Sequence, residues 1–404
     1  MTTAPHDELR SLVSSELPRL VAVADHAQSG RVNRPLVRAL GNELLPHLFP
    51  RRVGGVQDRA VSATALCVLR EELGRLLPEA ETALALQGLG AYPILFQGTG
   101  DVIDMWLPRI ASGSAVAAFA LTEPDAGSDA AALSTAAVRQ GGGWVLTGEK
   151  MWISNAPEAD IYTVFARTDP GAGARGVTAF AVPGDSAGLS GQALDLIAPH
   201  VVGRLQFDEV FVPDDHVLGA VDRGFRVAME TLDLFRPSVG AFVTGMAQAA
   251  LDATVAHTAR RRAFGGTLRD LQAVEHKVAD MAVRIAAARL LVYDAAACYD
   301  RGAEGLTQKS AMAKLFATEA AQRVVDDAVQ LHGARALEKG HLLERLYREV
   351  RAPRIYEGAS EVQRSIIARA VYRHAEAATP SSGDPDPPES GAMRPATSSQ
   401  GPTS

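Results

Sequence analysis

Arg354-Ile355-Tyr356-Glu357-Gly358-Ala359-Ser360-Glu361-Val362-Gln363-Arg364 is the stretch on which the reading of this chain turns. Gly358 lets the backbone approach something closely, and Ser360 is of the kind that caps a following helix. Glu357 is then a carboxylate on a loop between helices, where a base can be aimed into a cleft. Taken alone, most such glutamates are solvated loop residues. Its surroundings must decide.

Upstream and downstream of this stretch the apolar residues recur with a helical period. Val274, Val278, Met281, Ile285, Ala288 and Val292 form one stripe. The pattern predicts long helices over Arg236–Arg262, Arg269–Tyr299 and Thr307–Leu331, a bundle whose many alanines suit close packing. The first ~115 residues also read as helical: Leu9, Leu12, Val13 and Leu17 share one spacing, and Leu36, Val37, Leu40, Leu44 and Leu45 another. Pro50 to Gly55 interrupts them as a loop, another helix covers Ser62 to Leu77, and Pro93 and Pro108 bracket a later one. Between the two helical regions, Ala115–Leu121, Trp144–Leu146, Ile161–Ala166, Val177–Val182 and Leu205–Val212 read as strands, with turns at Gly141-Gly142-Gly143 and at Pro170 to Gly176. No long helix intervenes, so a small sandwich or barrel is expected. The fold class is therefore α+β: an N-terminal helical domain (1–115), a central β-domain (116–222), a C-terminal four-helix bundle (223–375), and a disordered tail (376–404) that holds six of the 22 prolines.

The 404 residues carry a formal charge of −7, which disfavours a body that coats nucleic acid. The cysteines, Cys67 and Cys298, exclude a disulfide framework and stand at no metal-ligand spacing, so no metal is expected. Met1 to Leu20 lacks a signal peptide's apolar core, and no apolar run approaches the ~20 residues of a membrane helix. A cytoplasmic protein without membrane insertion is the expectation.

Four further motifs carry chemistry, each with a plainer reading. Ala120-Leu121-Thr122-Glu123-Pro124-Asp125-Ala126-Gly127-Ser128-Asp129 offers hydroxyls and glycine-enabled amides to a planar ring and a pyrophosphate, or is merely a capped turn. Gly148-Glu149-Lys150-Met151-Trp152-Ile153-Ser154-Asn155 sets an aromatic face beside a hydroxyl, or Trp152 is simply core. Arg260-Arg261-Arg262-Ala263-Phe264-Gly265 grips a phosphate, or meets a helix dipole. Gln330-Leu331-His332-Gly333-Ala334 is by itself a glycine C-cap.

In this order and at this spacing, the five motifs resemble the acyl-CoA dehydrogenase family, over about Leu36 to His374. The resemblance includes Pro-x-x-x-Gly-Gly at Pro50, Thr-Glu-Pro-x-Ala-Gly-Ser-Asp at Thr122, Lys-x-Trp-Ile-Ser-Asn at Lys150 and Phe-Asp-Glu-Val-Phe-Val-Pro from Phe207. It continues through Arg-x-x-Phe-Gly from Arg261 to the most specific run, Tyr-Glu-Gly-x-Ser-Glu-x-Gln-Arg-x-Ile-x-Ala-Arg, from Tyr356 to Arg369. The resemblance implies an FAD enzyme that converts acyl-CoA to 2-enoyl-CoA. Glu357 would remove the pro-R α-proton while hydride passes to flavin N5. The thioester carbonyl would be polarised by a flavin ribityl hydroxyl and the backbone N–H of Glu357. It further implies that Phe119, Leu121, Thr122, Ser128, Trp152, Ile153 and Ser154 line the flavin and its phosphates. Arg261, Phe264, Gln272, Gln330, Leu331, His332 and Gly333, with Ala359 and Glu361, would hold the rest of FAD, partly across a subunit interface. Ser128, Asp233, Arg236, Gly358 and Arg369 would touch the acyl-CoA. A homotetramer, or a homodimer, and an electron-transfer flavoprotein as acceptor are implied too.

Three departures mark a divergent bacterial branch, assigned to the actinobacteria. Ala198 to Arg204 lacks the family's serine ahead of the Phe207 strand, Ala334 replaces a glycine, and Ala359 replaces a common threonine. Where some branches carry the base near the helical arginine, this chain has Phe235, which leaves Glu357. A substrate held on acyl-carrier protein is the alternative, with a flavin monooxygenase ranked below it. A DNA-binding homologue ranks below as well, since Glu376, Asp384, Asp386 and Glu389 in the tail face only Arg394.

Overall fold

A computed structural model describes residues 4–24, 30–49, 52–53, 56–57, 61–198 and 200–378. The expected disorder of the tail from 379 onward, like Pro50, Gly54, Gly55 and Pro199, lies outside these residues.

The N-terminal part contains α1 (Ala4–Ala24), α2 (Arg34–Glu43), a short antiparallel hairpin of β1 (Arg52–Val53) and β2 (Val56–Gln57), then α3 (Ala63–Leu76), α4 (Pro78–Gln97) and α5 (Gly100–Ala111). The caps are legible in residue type: Asn33 Oδ1 accepts from Leu36 N, and Ser62 Oγ from Ala65 N. Pro93 and Pro108 do not bracket a helix. They lie inside α4 and α5, and the chain breaks between those helices at Gly98 and Thr99, where Thr99 caps α5.

The central part is one connected sheet of β3 (Ala117–Ala120), β4 (Ala136–Gln140), β5 (Gly143–Ser154), β6 (Ile161–Arg167), β7 (Val177–Pro183), β8 (Leu189–Leu194), β9 (Val202–Pro213) and β10 (Val217–Leu218), in the order β10-β7-β6-β4-β5-β9-β8. It forks at β6: Ile161 to Val164 pair in parallel with β3, while Arg167 reaches β4. Both expected turns close antiparallel pairs, with Gln140 opposite Gly143 and Arg167 opposite Val177.

The C-terminal part comprises α6 (Gly224–Arg260), a hairpin of β11 (Arg262–Ala263) and β12 (Gly266–Thr267), α7 (Gln272–Asp300), α8 (Leu306–His332), α9 (Leu342–Glu349) and α10 (Ser360–Ala378). The first bundle helix starts well before the expected Arg236 and runs straight through Pro237. A proline there removes the N–H that would bond the Asp233 carbonyl. Ser310 Oγ of α8 donates to that carbonyl instead, at 2.9 Å. By length and composition α6 could cross a membrane, but 72% of its apolar window is buried in the protein. Against it lies α3, close enough that a Cβ on Gly245 would fall 2.0 Å from the Glu71 carbonyl oxygen. That contact ties the N-terminal helices to the bundle.

Candidate active site

The loop before α10 turns back sharply. Glu357 has φ +52° and Gly358 φ +92°, both in the left-handed region. A Cβ on Gly358 would lie 2.4 Å from Gln363 Nε2, so the position requires glycine. Three buried side chains hold the loop by its carbonyls. Arg236 Nε donates to Glu357 O at 3.3 Å and Lys314 Nζ to Gly358 O at 2.7 Å. Gln363 Nε2 donates to both, at 3.3 and 2.9 Å. Arg236 is steadied by Asp233 Oδ1 at 2.9 Å, whose other oxygen accepts from Thr307 Oγ1 at 2.6 Å. Ser360 is not the expected cap: it is already inside α10 and its hydroxyl donates to Glu319 Oε1 at 2.7 Å.

The backbone is fixed but the acid is not. Glu357 Oε2 is buried and makes no hydrogen bond among the described residues, although the residue as a whole is half-buried. Burial pushes this carboxyl above the ordinary carboxylate range, against the opposing charges of Arg70, Lys314 and Arg236. Burial likewise lowers Lys314 to about 8, with Glu357 pulling the other way. Arg70, from α3, donates through Nε to Glu81 Oε1 of α4 and through Nη1 to Ser238 Oγ at 2.6 Å.

A second set of residues lies on the sheet. Lys150 Nζ, fully buried, donates to Leu121 O at 3.0 Å and to Glu123 Oε1 at 2.8 Å. Glu123 also accepts from Ser134 N (2.6 Å), Ser134 Oγ (2.9 Å) and Thr135 N (2.9 Å), closing the loop that contains Thr122 and Ser128. Burial would raise Glu123, but Lys150 and these donors outweigh it and hold the carboxyl at about 2. Burial lowers Lys150 itself to about 8 against the pull of Glu123, so both partners are charged across the neutral range.

Between Lys150 and Ile153 the register of β5 against β9 slips. Met151 N bonds Thr122 O instead, at 2.9 Å, and Trp152, at φ +61°, is turned outward and 53% exposed. Trp152 is therefore not a core aromatic. Ile153 is buried, Ser154 half-buried and Ser128 exposed, while Phe119 packs against Phe165 with the rings tilted by 54° and their centres 4.8 Å apart.

A third set lies at the other end of α6, roughly 37 Å from Arg236 at 1.5 Å per residue. Arg261 follows the helix, and Phe264, at φ +51° on the hairpin tip, is 91% exposed. Gln272 opens α7. Gln330 to Gly333 close α8, where the rings of His332 and His257 stack at 4.2 Å. Gln330 lines a cavity of about 310 Å³ with Asp326, Tyr347 and Arg348. Among the described residues no hydrogen bond or ion pair joins this set to the other two. Glu361 and Arg369 are exposed on α10, and Ala359 precedes it.

The fold thus brings Glu357, Gly358, Arg236 and Asp233 together, and separately Leu121, Thr122 and Trp152. Sequence reasoning gave no role to Arg70, Glu81, Lys150, Lys314, Gln363 or Glu123. Lys150, Glu123 and Gln363 stood inside quoted motifs and carried a signal in that alone. The other three carried none, because a charge on a helical stripe reads as a solvated face.

Three family profiles match the chain in order: acyl-CoA dehydrogenase N-terminal domain over residues 3–114, middle domain over 118–210 and C-terminal domain over 222–372. The chain is similar to the probable acyl-CoA dehydrogenase FadE25 of Mycobacterium tuberculosis, 36% identical over 374 residues, covering 91% of this chain and 95% of that one. Among solved structures it is similar to butyryl-CoA dehydrogenase from Megasphaera elsdenii (TM-score 0.86, 31% identity, 92% of this chain and 99% of the other). It is also similar to a glutaryl-coenzyme A dehydrogenase in complex with glutaryl-CoA (TM-score 0.85, 32% identity, 92% and 96%).

Proposed function

Because the chain belongs to the acyl-CoA dehydrogenase family, whose members are FAD-dependent oxidoreductases, we propose that it dehydrogenates an acyl thioester between Cα and Cβ, acyl-CoA to 2-enoyl-CoA, with Glu357 as the base. The observation that carries this reading is the Glu357 carboxyl oxygen, buried and without a partner on a loop whose backbone is bonded from three sides. A base held this way is free to meet a proton on a ligand and is made stronger by its burial. The Glu357 N–H makes no hydrogen bond among the described residues and is a donor for the thioester oxygen. Such a donor stabilises the enolate-like charge that develops as the α-proton leaves. Arg236 and Lys314 engage the carbonyls of Glu357 and Gly358 and bring positive charge to the loop that carries this donor.

The residues of the sheet fit FAD: an outward-facing indole at Trp152 for a planar ring, hydroxyls at Thr122, Ser128 and Ser154, and a loop braced by Glu123. When bound, FAD supplies the acceptor for the hydride lost from Cβ. Trp152, Ser154 and Thr122 would hold its ring. Arg261, Phe264, Gln272 and Gln330 to Gly333, too distant from Arg236 within one chain, would serve a neighbouring subunit in a homotetramer. Exposed Val283 and Leu290 on α7 support that assembly. An electron-transfer flavoprotein is the proposed electron acceptor.

The test is anaerobic mixing of the FAD-loaded protein with a panel of acyl-CoA thioesters. Bleaching of the flavin by at least one of them is expected; a flavin that none of them reduces contradicts the reading.

A further inference from the structure

Near the base-bearing loop sits a buried arginine–glutamate pair that the proposed chemistry does not use, and burial pushes its carboxyl up to about 7 against the pull of Arg70. Arg70 and Glu81 are 3% and 1% exposed, on α3 and α4. The close approach of α3 to α6 brings Arg70 onto the turn of α6 that carries Arg236. There the guanidinium bonds Ser238 and stands 5.9 and 6.0 Å from the ring centres of Phe235 and Phe242. Its charge acts on the Glu357 carboxyl together with those of Lys314 and Arg236.

Such a pair is a poor stabiliser. Buried ion pairs are often matched or bettered by apolar residues of the same volume, because desolvation offsets the attraction. A wall that had only to contact a hydrocarbon tail would be cheaper in leucine and phenylalanine. Arg70 also has donors to spare: a guanidinium carries five N–H groups. Its recorded bonds use Nε and Nη1, and Nη2 has no partner among the described residues.

The substrate's position follows from the base. An acyl group whose α-carbon meets Glu357 directs the rest of its chain past the turn of α6 whose Arg236 holds the Glu357 carbonyl, and on that turn Ser238 bonds Arg70, which in turn holds Glu81. Resting on the dehydrogenase reading, we propose that Arg70 and Glu81 determine acyl specificity. They select a short thioester whose chain bears a hydrogen-bond-accepting oxygen a few bonds beyond the β-carbon, in preference to a plain alkyl chain of equal length. Arg70 Nη2 donates to that oxygen, and Glu81 and Ser238 fix the guanidinium plane.

The experiment compares kcat/KM of the holoenzyme for two matched pairs, 4-hydroxybutyryl-CoA against butyryl-CoA and glutaryl-CoA against valeryl-CoA. Within at least one pair the oxygen-bearing member is expected to win by about tenfold or more. The winning pair tells whether the oxygen is neutral or anionic. In Arg70→Met/Glu81→Met, which leaves no lone charge buried, the ratio falls to about one. Should that variant not fold, Arg70→Lys keeps the charge but loses the forked geometry and must lower the ratio. A wild-type preference for the alkyl members overturns the inference while leaving the dehydrogenase standing, and so does a ratio that neither variant changes. If no thioester reduces the flavin, both fall.

Discussion

The Lys314 ammonium donates to the Gly358 carbonyl across 2.7 Å, so a buried lysine of the bundle grips the base-bearing loop by its backbone and leaves Glu357 Oε2 unengaged. Position and reactivity are thereby handled by different atoms.

Lys314→Met removes both that bond and a positive charge facing Glu357. Glu357 must be ionised to accept a proton, and its carboxyl already binds protons more tightly than usual because of burial. Loss of a nearby cation tightens that hold, so the acid limb of the kcat/KM profile should move to higher pH. Profiles of the two proteins decide it, and an unmoved limb counts against this role.

Glu357→Gln should keep FAD and lower flavin reduction by at least about a hundredfold in anaerobic stopped flow. A carboxyl with a raised folded pKa favours the fold only while protonated; that advantage is complete below its unfolded pKa and is lost as pH rises through the folded one. At neutral pH the amide therefore costs no stability, and the melting temperature should hold or rise.

Glu123→Gln strands the buried Lys150 ammonium and should cost about 3–5 kcal/mol at pH 6. The depressed Glu123 pKa means its contribution is complete above the ordinary value of 4.5 and fades as pH falls through about 2. Denaturant titrations of both proteins should converge towards pH 2. A gap that persists there would show another origin.

Gly358→Ala forces a Cβ into the left-handed region and against Gln363 Nε2. A cost of about 1–3 kcal/mol is expected, with a larger proportional loss of kcat because the adjacent Glu357 shifts. Circular dichroism of unchanged helix content together with reduced turnover would establish this.

Trp152→Ala should weaken FAD binding by about tenfold, as loss of one aromatic stacking surface does. The side chain is half out of the protein, so unfolding in the flavin-free state should hardly change. Equal losses in both assays would assign Trp152 to folding.

Much of the architecture was legible in the residues, and the exceptions have physical causes. Ile161–Ala166 and Val177–Val182 read as strands because they are buried on both faces and apolar throughout. Ala136–Gln140 and Leu189–Leu194 escaped notice because hardly any of their residues are buried, leaving no apolar alternation to read. The early start of α6 was hidden by Pro237, whose missing donor is supplied by a serine 73 positions later. At the site, Glu357, Gly358, Arg236 and Asp233 were singled out and do meet. Arg70, Glu81 and Lys314 were not, since only the packing of α3, α4 and α8 turns their polar groups inward, and Gln363 stood in the motif without a role assigned to it.

The unbroken run of α6 from Gly224 to Arg260 has a bearing on how this chain can vary in length. One residue inserted between Gly240 and His257 would advance the distal hairpin by 1.5 Å and swing it through about 100° relative to Arg236. The same insertion in the Pro170 to Gly176 turn would lengthen a surface connection and leave both ends in place. Tolerance to insertion should therefore be written into this protein as a map, forbidden along one rod and free at the tips of the sheet.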